Sequence, residues 1–212
     1  MNAKKIVIAG GTGFLGQILT AYFTERGVQM VVLTRGANKH ENGVNYVHWN
    51  GRSLNTWREQ LEGADALINL SGKSVNCRYA KRNKQLIYNS RLESTRVLGL
   101  ALMKAKNGPK TWINATSATI YRHADRPMTE ANGLHGVGFS MDVCEKWERM
   151  FFRFDLPKLR KVAMRTTIAL GKEGGAFGPL QNLAKLGLGG KHGNGKQMFS
   201  WIHAYDFCRS KQ

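Results

Sequence analysis

Gly10, Gly13 and Gly16 recur at three-residue intervals in Ile6-Val7-Ile8-Ala9-Gly10-Gly11-Thr12-Gly13-Phe14-Leu15-Gly16. Side-chain-free backbone at this spacing suits a pyrophosphate. Gly10 permits a tight turn off a strand, Gly13 lets a phosphate approach the backbone, and Gly16 lets a helix pack close to that strand. The helix that follows would turn free N–H groups and its positive dipole end toward the phosphates. The turn therefore predicts a dinucleotide site built from Gly10, Thr12, Gly13, Phe14, Leu15 and Gly16. The competing reading is a tight turn with no ligand. The flanking pattern favours the site: an apolar strand precedes the glycines, a helical repeat (Leu15, Ile18, Leu19, Tyr22, Phe23) follows, and a second apolar strand comes next,.

That second strand ends in Leu33-Thr34-Arg35-Gly36, with no acid until Glu41. An Asp or Glu at its end would accept a hydrogen bond from a ribose 2′-OH and repel a 2′-phosphate. Arg35 instead offers a fork of donors to a phosphate. Thr34 and Arg35 thus predict NADP rather than NAD. The alternative is an exposed arginine lying near the adenine.

Strands and helices alternate along the chain, which predicts an α/β doubly wound parallel sheet covered on both faces. Strands are expected at residues 6–9, 30–34, 45–49, 66–70, 111–116, 161–170 and 199–203. Helices are expected at 15–23, 56–61, 81–106 and 140–154, the third stopped by Asn107-Gly108-Pro109. Residues 174–195 hold eight glycines around one amphipathic piece, 180–188. Asp206 reads as the N-cap of a helix that scarcely begins. The expected units are a nucleotide-binding domain over 1–170, a glycine-rich substrate-side segment over 171–198, and a last strand and short helix over 199–212 that return to the first unit. Such a domain would be incomplete at this end, so the sequence is expected to be truncated.

Composition bounds the rest. The 212 residues are 42% hydrophobic, as in a soluble globular protein,. No apolar run approaches a membrane span, so no membrane partner is expected. The N-terminus passes directly into a strand, which predicts no signal peptide. Cys77, Cys144 and Cys208 are too few and too scattered for a disulfide framework, and no spacing suits a metal. A reducing cytoplasm follows. The net charge of +18 is compatible with nucleic acid or another anionic partner,. The basic residues are spread along the whole chain without an aromatic RNA-binding signature. Nucleic acid is therefore disfavoured, and a solvated surface that attracts anionic small molecules is preferred.

Several motifs together resemble the extended short-chain dehydrogenase/reductases. They are residues 10–16, Asn69-Leu70-Ser71-Gly72, Ser117-Ala118-Thr119-Ile120-Tyr121, Arg165 with Gly171, and Trp201-Ile202-His203 followed by Asp206. Trp49-Asn50-Gly51, Asn89-Ser90-Arg91, Cys144 with Trp147-Glu148, Gly187-Leu188-Gly189-Gly190 and Ser200-Trp201-Ile202-His203 resemble an atypical branch called epimerase family protein. The resemblance implies a Rossmann fold with a small, incomplete substrate-side region. It implies cofactor contacts from Leu70, Ser71, Gly72 and Arg91, and a small-molecule substrate expected to be anionic. A homodimer is compatible with it.

In the wider family a Ser, a Tyr and a Lys perform the chemistry, the Lys making the Tyr a useful acid/base. By motif, Ser117 matches the Ser. The helix that should carry Tyr-x-x-x-Lys has Ser140 and Cys144 at those positions, one turn apart on one face. Arg91 stands where the family has a supporting Asn, and would supply charge without acting as a base. Tyr121 is the nearest remaining acid; lining the nicotinamide pocket is its competing reading. Cys144 would be a nucleophile if Arg91 lowered its pKa, and otherwise a small buried hydrophobe. Lys73, Arg78, Lys81, Arg82 and Lys84 would meet an acidic substrate or merely cover a solvated helix face. Residues 187–195 with Lys191, His192 and Lys196 resemble a mobile substrate-side loop. The implied function is an NADP-dependent epimerase-like oxidoreductase with a degenerate site. The alternative is a non-catalytic NADP(H)-binding sensor.

Overall fold

A computed structural model describes residues 4–172, 174–191 and 193–210. Its centre is a seven-stranded sheet. The strands are β1 (Lys5–Ala9), β2 (Gln29–Thr34), β3 (Lys39–Glu41), β4 (Val44–His48), β5 (Ala66–Asn69), β6 (Thr111–Ser117) and β7 (Arg160–Thr166). They lie in the order β3-β4-β2-β1-β5-β6-β7, and every pair is parallel except β3 with β4. β1 sits centrally: Ile6 faces Met30 on one side and Ala66 on the other.

Side chains alternate across the strands, so each face collects every second residue. Val7, Val31, Leu33, Leu67 and Trp112 face one way, against Trp57, Leu98 and Phe151. Ile6, Ile8, Met30, Val32, Ile68 and Ile113 face the other, against Leu19, Phe23 and Phe207. The first face is covered by α2 (Lys81–Lys104), α3 (Phe139–Phe152) and the 3-10 turn Thr56–Leu61; the second by α1 (Phe14–Thr24) and α5 (Ala204–Arg209). Both faces are apolar because both are covered, which is what a doubly wound sheet requires.

A second sheet joins β8 (Ile168–Gly171), β9 (Gly174–Gly175) and β10 (Trp201–His203), in the order β10-β8-β9. The single strand expected at 161–170 is therefore two strands in two sheets. The reason lies in the partner strand. The β6–β7 ladder ends where Ser117 pairs with Thr166, because β6 turns at Ala118 into a 3-10 turn. Beyond Thr166 the chain must find a new edge. The boundary expected at residue 170 falls inside β8.

Other elements shift for identifiable reasons. Trp49 is not in β4; its N–H donates to the Thr34 carbonyl (2.8 Å) and its ring meets Trp57. α3 ends at Phe152, and Phe154 turns back under the sheet against Trp112. The amphipathic piece is α4 (Phe177–Lys185), one turn earlier than expected, and none of its residues is buried. Asp206 does not cap α5. His203 does, its Nδ1 accepting from Tyr205 N–H (3.3 Å), and Asp206 occupies the first turn. β3 has no counterpart among the expected strands, although Asn42-Gly43, both at positive φ, is a strong hairpin signal,. No helix among the described residues is long and apolar enough to cross a membrane. His192 lies outside the described residues.

Candidate functional site

A cleft of about 840 Å³ opens at the carboxyl ends of β1, β2 and β5, roofed by one face of α2. The glycine turn forms its floor. Gly10 takes φ +80°, donates its N–H to the Leu33 carbonyl (3.3 Å) and accepts from Gly13 N–H (3.3 Å). A Cβ at Gly10 would lie 2.9 Å from the Ser71 nitrogen, and one at Gly16 only 2.4 Å from the Gly11 Cα. Both positions are closed to other residues by backbone, not by movable side chains.

α1 begins at Phe14 without a side-chain cap and without an acid in its first turn. Its first N–H groups have no intrahelical acceptor. The side chains of Phe14 and Leu15, expected at the nucleotide, do not line the cleft. The Phe14 ring packs against Gly171, Gly174 and Gly175 of the small sheet, and Leu15 packs against the core. Gly16 acts through close packing and is not part of the cleft wall.

Leu70, Ser71 and Gly72 form one wall. A buried polar network holds them. Asn69 Nδ2 donates to Asn114 Oδ1 (2.7 Å) and to Thr95 Oγ1 (3.2 Å), Trp147 Nε1 donates to Thr95 Oγ1 (2.9 Å), and Asn69 Oδ1 accepts from Ser71 N–H (3.0 Å). The Ser71 hydroxyl is buried with no partner. An orphaned hydroxyl beside an uncapped helix start fits a ligand rich in oxygen acceptors and donors.

Thr34 and Arg35 form the opposite wall. Thr34 Oγ1 accepts from Gly36 N–H (3.2 Å), which turns the chain away from β2. Sequence reasoning missed His48, Arg52 and Glu93, which also line the cleft beside Asn50. His48 Nδ1 lies 2.9 Å from the Gly36 carbonyl, which can only accept, so the proton is on Nδ1,. Arg52 Nε donates to Glu93 Oε2 (2.8 Å), tying the loop after β4 to α2. Trp49-Asn50-Gly51 was the only signal for this wall.

Around the end of β6 the structure gathers a second group. The Ser117 hydroxyl lies 2.8 Å from that of Thr119 and interacts with the Cys144 thiol. Cys144 is buried, and burial pushes its thiol up to about 11 against the opposing pull of Arg91. The thiol stays protonated near neutrality, so the nucleophile reading of Cys144 fails on desolvation. Tyr121 accepts a hydrogen bond from Arg165 Nη1 (2.7 Å). Arg165 Nε and Nη2 grip Glu148 at 2.9 and 2.7 Å, a nearly buried pair that sequence reasoning missed. Arg91 lies beneath Gly72, its Cζ 5.1 Å from the centre of the Trp147 ring. It is not part of the cleft wall. Ser117, Cys144 and Arg91 thus meet around one thiol, while Tyr121 is anchored separately on Arg165. No group of three metal-ligating side chains occurs among the described residues.

A glycine turn at the switch from strand to helix, on a doubly wound sheet with its cleft at the strand ends, defines a nucleotide-binding protein of Rossmann type. The comparisons make the class specific. The NAD dependent epimerase/dehydratase family matches residues 6–135, and the chain belongs to it, in the atypical branch of epimerase family proteins. Epimerase family protein YfhF of Bacillus subtilis is 34% identical over 204 residues, 95% of this chain and 66% of that protein. An epimerase family protein of Staphylococcus haemolyticus is 33% identical over 209 residues, 98% of this chain and 69% of the relative. Among solved structures, human epimerase family protein SDR39U1 with NADPH superposes with a TM-score of 0.81 at 30% identity, covering 96% of this chain and 67% of that one. The nucleoside-diphosphate sugar epimerase from Corynebacterium glutamicum gives 0.81 at 28%, covering 98% and 42%. The chain is a nucleotide-binding, epimerase-like protein.

Proposed function

We propose that the chain binds NADP(H) in preference to NAD(H) and acts as an epimerase-like oxidoreductase on a small molecule. The observation that carries the preference is Arg35 on the cleft wall, at the strand end where an acid would select NAD,. Glu93, the carboxylate in the cleft wall, is tied to Arg52. The human relative was solved with NADPH. In this reading Gly10, Thr12, Gly13 and the first N–H groups of α1 receive the pyrophosphate. Thr34 and Arg35 receive the 2′-phosphate, and Leu70, Ser71 and Gly72 line the ribose side. When bound, the nicotinamide supplies the hydride chemistry. Ser117 orients the reacting oxygen, and Tyr121, held by Arg165, is the nearest group able to exchange a proton. The net charge of +18 draws anionic ligands to the cleft,, and three free cysteines suit a reducing cytoplasm,.

A second reading, a non-catalytic NADP(H) sensor, is favoured by one observation. Ser140 and Cys144 replace the Tyr/Lys pair, and Cys144 stays protonated. A thermal-shift titration with NADP⁺, NADPH, NAD⁺ and NADH tests the binding claim. A ligand at a hundred times its Kd should add about 2.7 kcal/mol. The expected result is stabilisation by the phosphorylated pair at concentrations where the other pair does nothing. Equal shifts from all four would remove the preference, and hydride exchange with any substrate would remove the sensor reading.

A further inference from the structure

Two arginines approach the end of β6, and they are used differently. Arg165 spends its Nε–Nη2 edge on the Glu148 carboxylate and its Nη1 on Tyr121. Arg91 spends only Nη1, on the carbonyls of Lys73 (3.0 Å) and Ile87 (3.3 Å). Among the described residues its Nε–Nη2 edge has no acceptor, and Arg91 makes no ion pair. Among the described residues neither nitrogen is a sealed, unpartnered atom, so the edge reaches accessible space. One face of the guanidinium lies over Trp147 and its Cζ is 3.1 Å from where a Gly72 Cβ would stand. What remains for a ligand is the planar fork.

An arginine cannot shed its proton to relieve a largely buried charge, so an anion at its free edge would stabilise it,. No carboxylate of the described chain supplies one here, whereas Arg165 shows within the same molecule what that edge accepts. The Arg91 charge and the Ser117 hydroxyl both act on the buried Cys144 thiol. An anion on Arg91 would therefore place a neighbouring C–O group of the same small molecule at Ser117.

We propose that Arg91 is a substrate-binding residue that receives a carboxylate through its Nε–Nη2 edge, and that the substrate is a small carboxylate with a hydroxyl or carbonyl a bond or two away. This rests on the substrate-side reading of Ser117 given above. Gly72 belongs to the same arrangement: a Cβ there would lie 3.1 Å from the Arg91 Cζ and press on the guanidinium.

The test uses oxamate, an isostere of a 2-oxo carboxylate, with neutral oxamide and inorganic phosphate as companions. Each is titrated by calorimetry into the full chain saturated with NADPH, for wild type, Arg91→Lys and Arg91→Gln. Oxamate should bind wild type at least tenfold tighter than oxamide does, lose at least tenfold in Arg91→Gln, and recover partly in Arg91→Lys. Oxamate and oxamide binding alike, or oxamate unaffected by Arg91→Gln, would overturn the proposal. Phosphate binding tighter than oxamate would overturn the choice of a carboxylate. If Arg91→Gln does not fold, the oxamate-to-oxamide ratio in wild type and the Arg91→Lys affinity decide the same question. Failure of NADPH itself to bind would overturn the cofactor reading instead, and the same titrations without dinucleotide would still test Arg91.

Discussion

The glycine turn after β1 and the inward face of α3 both serve the carboxyl edge of the sheet, and they encode their roles in opposite ways. The turn is written in backbone. A single added carbon at Gly10 or Gly16 meets backbone atoms at 2.4–2.9 Å. The α3 face is written in side chains. In the proposed reading Ser140 and Cys144 stand at the Tyr and Lys positions, while Trp147 and Glu148, one turn on, are committed to Thr95 and Arg165. A binding site defined by shape can persist while the reacting groups beside it change. The comparison teaches that nucleotide binding and catalysis are separable claims in this molecule.

The largest expected effect lies on the α3 side. Glu148→Ala leaves the Arg165 guanidinium nearly buried without its carboxylate, since the two side chains are 12% and 18% exposed. Breaking such a pair costs about 3–5 kcal/mol. Urea unfolding should show that loss, and a change below about 1 kcal/mol would mean the pair is solvated and the α3 face looser than described. On the turn side, Gly16→Ala should cost about 1–3 kcal/mol by overpacking, and dinucleotide binding should go with it. Unchanged binding in Gly16→Ala would break the contrast, because the turn would then tolerate a side chain. Arg35→Ala should act on selectivity alone. We expect the NADPH affinity to fall about tenfold, worth about 1.4 kcal/mol, with NADH unchanged.

The last effect is a pH dependence confined to alkaline solution. The folded state holds the Cys144 proton more tightly than the unfolded chain, raising its pKa from the ordinary 9.0 to about 11. Below pH 9 both states are protonated and stability is unaffected. Between pH 9 and 11 the unfolded chain loses its proton first, so stability falls. Cys144→Ala should flatten that alkaline decline. An identical decline in the variant would assign it elsewhere, with Tyr88, raised to about 12 by burial and by its bond to Asp142, next in line.

How legible was this molecule in its sequence? The β1–α1–β2 unit was, because glycine spacing and strand alternation are local properties. Gly10, Gly13, Thr34 and Arg35 stand where the spacing puts them. What was not legible depends on which strand lies beside which. The break after Thr166 follows from the end of β6 some fifty residues earlier, and no periodicity near 161–170 records it. The Arg165–Glu148 fork and the shared neighbourhood of Arg91, Ser117 and Cys144 join separate elements in the same way. Phe14 and Leu15 show the converse limit. Their place in the motif was readable, but their side chains serve the small sheet and the core. Exposure of Leu180 and Leu183 likewise could not be read from the amphipathic pattern of α4, which fits a covered face equally well.

The most direct test of the central claim is an equilibrium titration of the full chain with NADPH and with NADH, followed by nucleotide fluorescence at fixed salt. The account predicts saturable binding of NADPH at one site, at least tenfold tighter than NADH, and loss of that difference in Arg35→Ala. A folded protein that binds neither nucleotide would contradict it, and the glycine turn would then be a feature of the fold alone.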